Sequence, residues 1–593
     1  MGERKLNKKQ ATDDDELELY SVDTVQSDVS TSSTSSADDN KANSNNTIIQ
    51  TVAEKFFKGL GHVDADADAD TDHDHVRKPR FLRRLFTDHQ TDDDDDTLLP
   101  QDKGYAWVMV AVTLLAVLSS WGCNAAFGVF LSFFLSNDTF PNATKYDYAL
   151  ISGFPLALGQ GMAPFSLILM RIIGIKQTML FGTALMLAGF LWASFATHLW
   201  ELYVSQGVLI GISIAFVVNP PITCIPGWFE KKRAAANGII YSGTGLGGLV
   251  YGLSCNKMLQ DNGNSAMCYR MLAIACTCSC LISICLIKER IPTKPIGFKS
   301  KTAILQEFNK FFNMNIIKNP TVLLIAMWYN LATFAYCLMT ITLSSYAVAR
   351  GMSQHQGSIL TSVLNAGQVI GRPSMGILGD RFGRVNVTNV LTSLLCIYVF
   401  SFWIPAHTFI QMVIFSIMMG LSVGVASMMY GVLVADLVEP QQFLPAWGFV
   451  TYSGSPLFLV SELIAQALTV PEMKKNPYIH TQIFTGFCFF GALLLSILLR
   501  ERAVTIKLRR SHSAIKEKLK DAEDTESLSE ASTKKPNGDD ELDITAEDDE
   551  IDTTIDSGDD ALSQWEIKDQ KYNYLLGPGW KKMLKRMTYK AKV

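Results

Sequence analysis

The chain has 593 residues, 48% of them hydrophobic and 18% charged, with a formal net charge of −5. The charge comes mostly from two polar ends and points to no nucleic-acid partner, while the long apolar runs of the middle exclude an ordinary water-soluble domain. Eleven cysteines show no metal or redox spacing, and no nucleophile–base pair or cofactor motif stands out, so the sequence predicts no enzyme, no metal and no cofactor.

Residues 1–101 are rich in Ser, Thr and Asp and read as a disordered acidic tail. Met1 to Glu16 is charged and lacks an apolar run, so the first membrane segment is expected to serve as the insertion signal. His73 and His75 alternate with acids, for which a solvated tail is a stronger reading than a weak metal site. Arg77, Lys78, Arg80, Arg83 and Arg84 interleave with Phe81, Leu82, Leu85 and Phe86, the mixture of an inner-leaflet contact.

Twelve apolar segments long enough to cross a bilayer follow. They lie at about 107–132, 148–170, 178–197, 202–225, 234–254, 270–287, 321–345, 357–378, 387–404, 408–434, 446–468 and 480–499. A polar connection, 288–320, separates the sixth from the seventh. The expected architecture is an all-α membrane protein with a six-helix bundle at 102–287, an inter-bundle loop at 288–320 and a second bundle at 321–500. Residues 501–593 are expected to be a second disordered tail. Within it, Trp580 to Met587 mixes basic and apolar residues as a short interfacial helix would. The tail serines, among them Ser527, Ser529 and Ser532, read as phosphorylation sites, and both tails as docking segments for regulatory or trafficking proteins.

Basic residues orient the spans. With both termini cytoplasmic, Lys and Arg favour the inner connections by roughly three to one. The acceptor patterns Asn137-Asp138-Thr139 and Asn142-Ala143-Thr144 then fall in the first outer loop, which makes Asn137 and Asn142 candidate glycosylation sites. Cys255 and Cys268 flank another outer connection, where a disulfide is one option. Cys276, Cys278, Cys280 and Cys285 read as small residues of an apolar helix. The secretory route implied by the sequons favours the plasma membrane, with a vacuolar membrane as the alternative.

Away from the span ends only two residues are charged, Arg372 and Glu462. An arginine at mid-helix costs roughly 2.5–3.5 kcal/mol on insertion scales, so it calls for a cavity or a partner. Ser358, Thr361, Asn365, Gln368 and Arg372 follow steps of three and four and share one helix face. Arg372 lies about 12 Å along the helix from Asp380, at 1.5 Å per residue. Glu462 sits nearer the outer end of its span, so a direct Arg372–Glu462 pair is not expected. Glycines 238, 243, 245, 247 and 248 read as helix packing through small residues. Pro220, Pro221 and Pro226 are expected to kink or end the fourth span.

Several motifs carry a resemblance. Gly376-Ile377-Leu378-Gly379-Asp380-Arg381-Phe382-Gly383-Arg384, between spans eight and nine, resembles the loop signature of the major facilitator superfamily. Its counterpart between spans two and three, Met170 to Gly174, is degenerate. Asp102 to Trp107, the run Trp228 to Gly238 and the core Arg372-Pro373-Ser374-Met375-Gly376 resemble the monocarboxylate transporter family within it, in its fungal branch. The resemblance covers residues 100–500. It implies the major facilitator fold of two six-helix bundles, and a cytoplasmic gate at Asp380, Arg381, Arg384 and Arg233. Two positions depart from the lactate-carrying members. Gln368 stands where they have an aspartate, and Ala125, beside Asn124, where they have a lysine.

The expected function is secondary transport of a small organic anion or related metabolite by alternating access. Arg372 would clamp a carboxylate with its two-pronged donor set, while Gln368, Asn365, Asn124 and Asn330 would add neutral hydrogen bonds. Glu462 is the proton-coupling candidate, so the expected partners are a small-molecule substrate, protons and the lipid bilayer. The missing aspartate argues against assuming lactate. The alternatives are a carrier of a riboflavin-type vitamin or an aromatic amino acid, and a non-transporting membrane sensor on the same scaffold.

Overall fold

The structure, a computed structural model, describes residues 99–137, 139–140, 143–291, 294–298, 300–470, 476–529 and 559–589. The basic-aromatic stretch at 77–86, the histidines at 73 and 75 and the acceptor Asn142 lie outside the described residues. Every regular element among the described residues is helical.

The chain enters at α1 (Tyr105–Val117), passes a π-helical turn at Leu118–Gly122, and continues as α2 (Cys123–Ala125) and α3 (Phe127–Asn137). Thr144 opens α4 (Lys145–Gly161) with a reciprocal cap, its hydroxyl bonded to Asp147. A bend of 47° separates α4 from α5 (Ala163–Ile173). Gly174, at φ 95°, turns the chain into α6 (Ile175–Phe195). The next long helix is built from α7 (Leu199–Leu202), a π-helical segment Tyr203–Leu209 and α8 (Ile210–Trp228). Pro220, Pro221 and Pro226 do not end α8, which runs unbroken past all three.

Then come α9 (Arg233–Asn262) and α10 (Ser265–Leu286), joined at Gly263 in the left-handed region. Cys255 and Cys268 pack together across this hairpin as free, buried thiols, with Cys268 Sγ 3.7 Å from the Cys255 carbonyl. The connection carries α11 (Lys301–Phe311) and α12 (Met314–Ile317). Asn319 caps α13 (Pro320–Ala349), whose first residue is a proline that needs no donor there.

The second half of the span region holds α14 (Gln354–Phe382) and α15 (Arg384–Tyr398), which continues into a π-helical turn at Val399–Trp403. Between α14 and α15, Gly383 adopts φ 99°, the same left-handed turn that Gly174 makes between α5 and α6. Next are α16 (Phe409–Ser422) and α17 (Val425–Leu437), separated at Val423-Gly424, then α18 (Phe443–Tyr452) and α19 (Ser455–Ala467).

By length and apolar composition, eight helical runs of the described residues can cross a membrane, or nine if the bent pair α4–α5 is one span. Twelve were expected. The difference lies in α9 and α14, which are long but rich in glycine and polar residues, and in the 446–468 segment, which is divided between α18 and α19.

The helix that carries the last expected span, α20 (Ile479–Ser529), departs from expectation too: it runs far past the apolar run that ends at Leu499. Beyond it, α21 (Asp559–Leu576) is helical where an unstructured tail was expected, and α22 (Trp580–Thr588) covers the stretch read as a short helix. Val504 and Leu508 stand four residues apart on α20, and Leu575 of α21 buries against both. That apolar stripe was obscured by the charged residues between.

Candidate functional site

Helix α14 lies between α9 and α16, and small residues let it approach both. A Cβ on Gly245 would come 2.6 Å from the Asn365 carbonyl, and one on Gly371 would come 2.6 Å from Leu421 Cα. Backbones this close leave no room for a side chain.

The polar stripe of α14 enters this seam from Asn365 onward, while Ser358 is exposed. Asn365, Gln368 and Arg372 are all buried, and Arg372 is 2% exposed. Gln368 Nε2 donates to Asn365 Oδ1 at 3.3 Å, and Gln368 Oε1 accepts from Arg372 Nη2 at 2.5 Å. Helical spacing alone makes this possible, since residues three and four apart are neighbours. Gln368 Nε2 also reaches the Tyr336 hydroxyl of α13 at 3.4 Å. From α9, the Tyr241 carbonyl accepts from Arg372 Nη1 at 2.5 Å, and the Thr244 hydroxyl accepts from the same nitrogen.

The Arg372 arm runs past Gly424, at the break between α16 and α17. A Cβ there would lie 2.8 Å from Arg372 Cγ and 3.1 Å from Cδ. The Arg372 Nε–H is buried and has no acceptor among the described residues. Among the described residues no carboxylate bonds this guanidinium, and its acceptors there are neutral. An uncompensated buried charge with a free donor suits a ligand that brings negative charge.

Other predicted site residues lie elsewhere. Asn124 is half-buried on α2, and its neighbour Ala125 faces Asn365 across Gly248. Asn330 of α13 does not reach Arg372. It donates to Ser453 Oγ at 2.7 Å, which pins the break between α18 and α19. Glu462 of α19 is 4% exposed and accepts from Ser152 Oγ of α4 at 2.5 Å. Ser455 Oγ donates to the Ala157 carbonyl at 2.6 Å along the same α4–α19 seam. Asn137 forms the last residue of α3.

A second cluster, of charges, sits where α9 begins and α14 ends. Asp380 accepts the backbone N–H groups of Ala234 and Ala235 at 3.2 and 2.8 Å, as an acid at a helix N-terminus does. Arg384 Nε reaches Asp380 at 2.9 Å, and Arg384 Nη1 spans both oxygens of Asp436 at 2.8 Å. Arg233 Nη1 meets Asp436 Oδ1 at 2.6 Å. Arg381, predicted to belong here, is exposed and lies over the Phe382 ring instead. Asp436, at the end of α17, was not anticipated: it stands in no motif, and only the fold brings it between two arginines. Asp102 explains the Asp102 to Trp107 motif. Held at φ 59°, its carboxylate accepts from the backbone of Lys231 at 3.1 Å and Lys232 at 3.0 Å, and so caps the turn that leads into α9.

Aromatic rings flank the Arg372 site. The Tyr241 hydroxyl lies 3.3 Å from that of Tyr430, whose ring centroid is 4.4 Å from Tyr329 and 5.6 Å from Trp447.

With this geometry in view, known proteins are informative. The family model described as Major Facilitator Superfamily matches residues 109–460. The uncharacterized transporter ESBP6 of Saccharomyces cerevisiae is 49% identical over 512 residues, 86% of this chain and 72% of that protein. The probable transporter MCH2 of the same yeast is 30% identical over 421 residues, 70% of this chain and 88% of that protein. Among solved structures, the human organic anion transporter MFSD10 superposes with a TM-score of 0.52 at 14% identity, covering 66% of this chain and all of that one. This last likeness concerns the fold alone.

Proposed function

Because the chain belongs to the major facilitator superfamily, and is therefore a membrane transporter and not an enzyme, we propose that it carries a small organic anion in the manner of the monocarboxylate transporters. The observation that supports this most is the buried Arg372 guanidinium, which has neutral partners and an unused Nε–H. A carboxylate would supply both the missing charge and the missing acceptor.

In this reading α9, α14 and the α18–α19 pair are spans as well, which brings the number to twelve in two halves, 102–287 and 321–500. Their glycines and polar side chains belong at the interface between the halves, where lipid is absent. Rocking of the halves would expose Arg372, Gln368 and Asn365 to each side in turn. Asp380, Arg384, Arg233 and Asp436 would latch the cytoplasmic end. Arg381 would sit outside that latch. Glu462, bonded to Ser152 across the α4–α19 seam, would be the proton site. Both termini would be cytoplasmic, in the plasma membrane or, as the alternative, the vacuolar membrane.

A second reading has its own support. The ring cluster of Tyr241, Tyr329, Tyr430 and Trp447 starts at the residue whose carbonyl binds Arg372. Stacking surface beside a guanidinium suits an aromatic amino acid or a flavin-like vitamin.

The test is uptake of a panel of aliphatic and aromatic carboxylates into vesicles, with and without a pH gradient, by the wild type and Arg372→Ala. We expect the wild type to accumulate at least one carboxylate and the variant to lose it. Normal uptake by the variant would remove Arg372 from the site, and a wild type that carries none of the panel would overturn the anion reading.

A further inference from the structure

Helix α22 stands apart from the transport site, and the position of its base is set by α20. The apolar run of α20 ends at Leu499, and Arg500 and Glu501 follow directly. These two residues hold α22. Arg586 reaches Glu501 Oε1 through Nη2 at 2.7 Å and Nε at 2.8 Å. Arg500 Nη2 donates to the Tyr589 carbonyl at 2.9 Å, and Arg500 Nη1 to that of Met587. Arg586 Nη1 also donates to the Leu575 carbonyl at 2.6 Å, which ties α21 into the same joint. The C-terminal end of α22 is therefore moored at the level where the last span gives way from apolar to charged residues, the level of lipid headgroups.

The free face of the helix has a matching composition. Trp580, Lys581, Leu584, Lys585 and Thr588 are exposed, at spacings of one, four, five and eight, and so form one stripe. Trp580 is 69% exposed and Leu584 49%. Residues 577–593 carry six Lys or Arg and no Asp or Glu. Lys582 and Lys585 stand over the Tyr574 ring at 4.9 and 5.0 Å, which leaves their charge uncancelled by any acid in that contact. A tryptophan and a leucine bordered by lysines is the pattern of a helix lying in an interface, with its apolar edge among acyl chains and its ammonium groups at anionic headgroups.

We propose that α22 is a lipid-binding helix that engages the anionic membrane surface from which α20 emerges. Trp580 and Leu584 insert, Lys581 and Lys585 contact the headgroups, and the Arg586–Glu501 pair fixes the helix to the last span. The proposal does not depend on which substrate is carried.

The experiment is hydrogen–deuterium exchange on the full chain in nanodiscs of phosphatidylcholine, with and without phosphatidylserine. Amides of 580–588 should exchange roughly thirtyfold more slowly with phosphatidylserine present, as expected for two lysines near a charged surface. Those of α21 should be unaffected. Lys581→Glu with Lys585→Glu should erase the lipid dependence. Trp580→Ala with Leu584→Ala should speed exchange of α22 in both lipids. Equal exchange of wild-type α22 in the two lipids, with α21 protected in both, would overturn the proposal. That comparison needs no variant, so a variant that misfolds does not obscure it.

Discussion

Arg372 and Gly424 compete for the same space: the arginine arm occupies the volume that a side chain at 424 would fill. The position of a charged group on α14 is thus set by the absence of a side chain at the α16–α17 break.

Gly424→Ala should therefore push the guanidinium off its three acceptors. Overpacking of this kind costs about 1–3 kcal/mol. If that cost falls on the substrate-bound state, the apparent affinity should weaken roughly tenfold, since every 1.4 kcal/mol is about a factor of ten. Vesicle uptake over a range of substrate concentrations, with protein abundance measured alongside, checks it.

Arg372→Lys should not rescue Arg372→Ala. Lysine keeps the charge but cannot serve the Tyr241 carbonyl, Thr244 and Gln368 from a planar fork. Transport by the lysine variant should stay well below wild type, while its thermal stability in detergent should be closer to wild type than that of the alanine variant.

Gln368→Asp places an acid one turn from Arg372. When ionised, that acid pairs with the guanidinium and competes with an anionic substrate. When protonated, it releases it. Uptake by this variant should fall as pH rises, more steeply than in the wild type. Identical pH profiles would mean that the two residues do not act together on substrate.

Glu462→Gln keeps an oxygen for Ser152 to bond and removes the titratable proton. Stimulation of uptake by an inward proton gradient should disappear, with uptake at equal pH retained. Gradient stimulation that survives the change would dismiss Glu462 as the coupling site.

Asp436→Asn weakens contacts to both Arg233 and Arg384. Charged hydrogen bonds of this sort contribute about 1.5–3 kcal/mol each, less where water reaches them as it does here. The expected outcome is freer opening at that end, read as faster alkylation of single cysteines placed on the facing ends of α8 and α17.

How much of this could be read in the chain follows the physics of each part. The stripe from Asn365 to Arg372 was legible because neighbours on one helix are fixed by its pitch. Gln368 as the residue next to Arg372 followed from the same rule. Asp436 was not legible, because it meets Arg233 and Arg384 only through the crossing of three helices distant in sequence. Asn330 reads as a cavity residue in one dimension, yet it pins a helix break in three. The end of the chain misled in the opposite sense. Frequent charges suggested disorder, while Val504, Leu508 and Leu575 supply enough apolar surface to dock α21 on α20.

The acceptor that Tyr241 offers to Arg372 is its carbonyl oxygen, and Asp380 likewise grips amide hydrogens of Ala234 and Ala235. Every amino acid carries that oxygen, and every one but proline carries that hydrogen. A substitution other than proline at 241, 234 or 235 therefore leaves the bonding groups themselves in place, and a scan of side-chain replacements does not remove them. Only a change to the main chain itself, such as an ester in place of one amide, would reveal how firmly they hold.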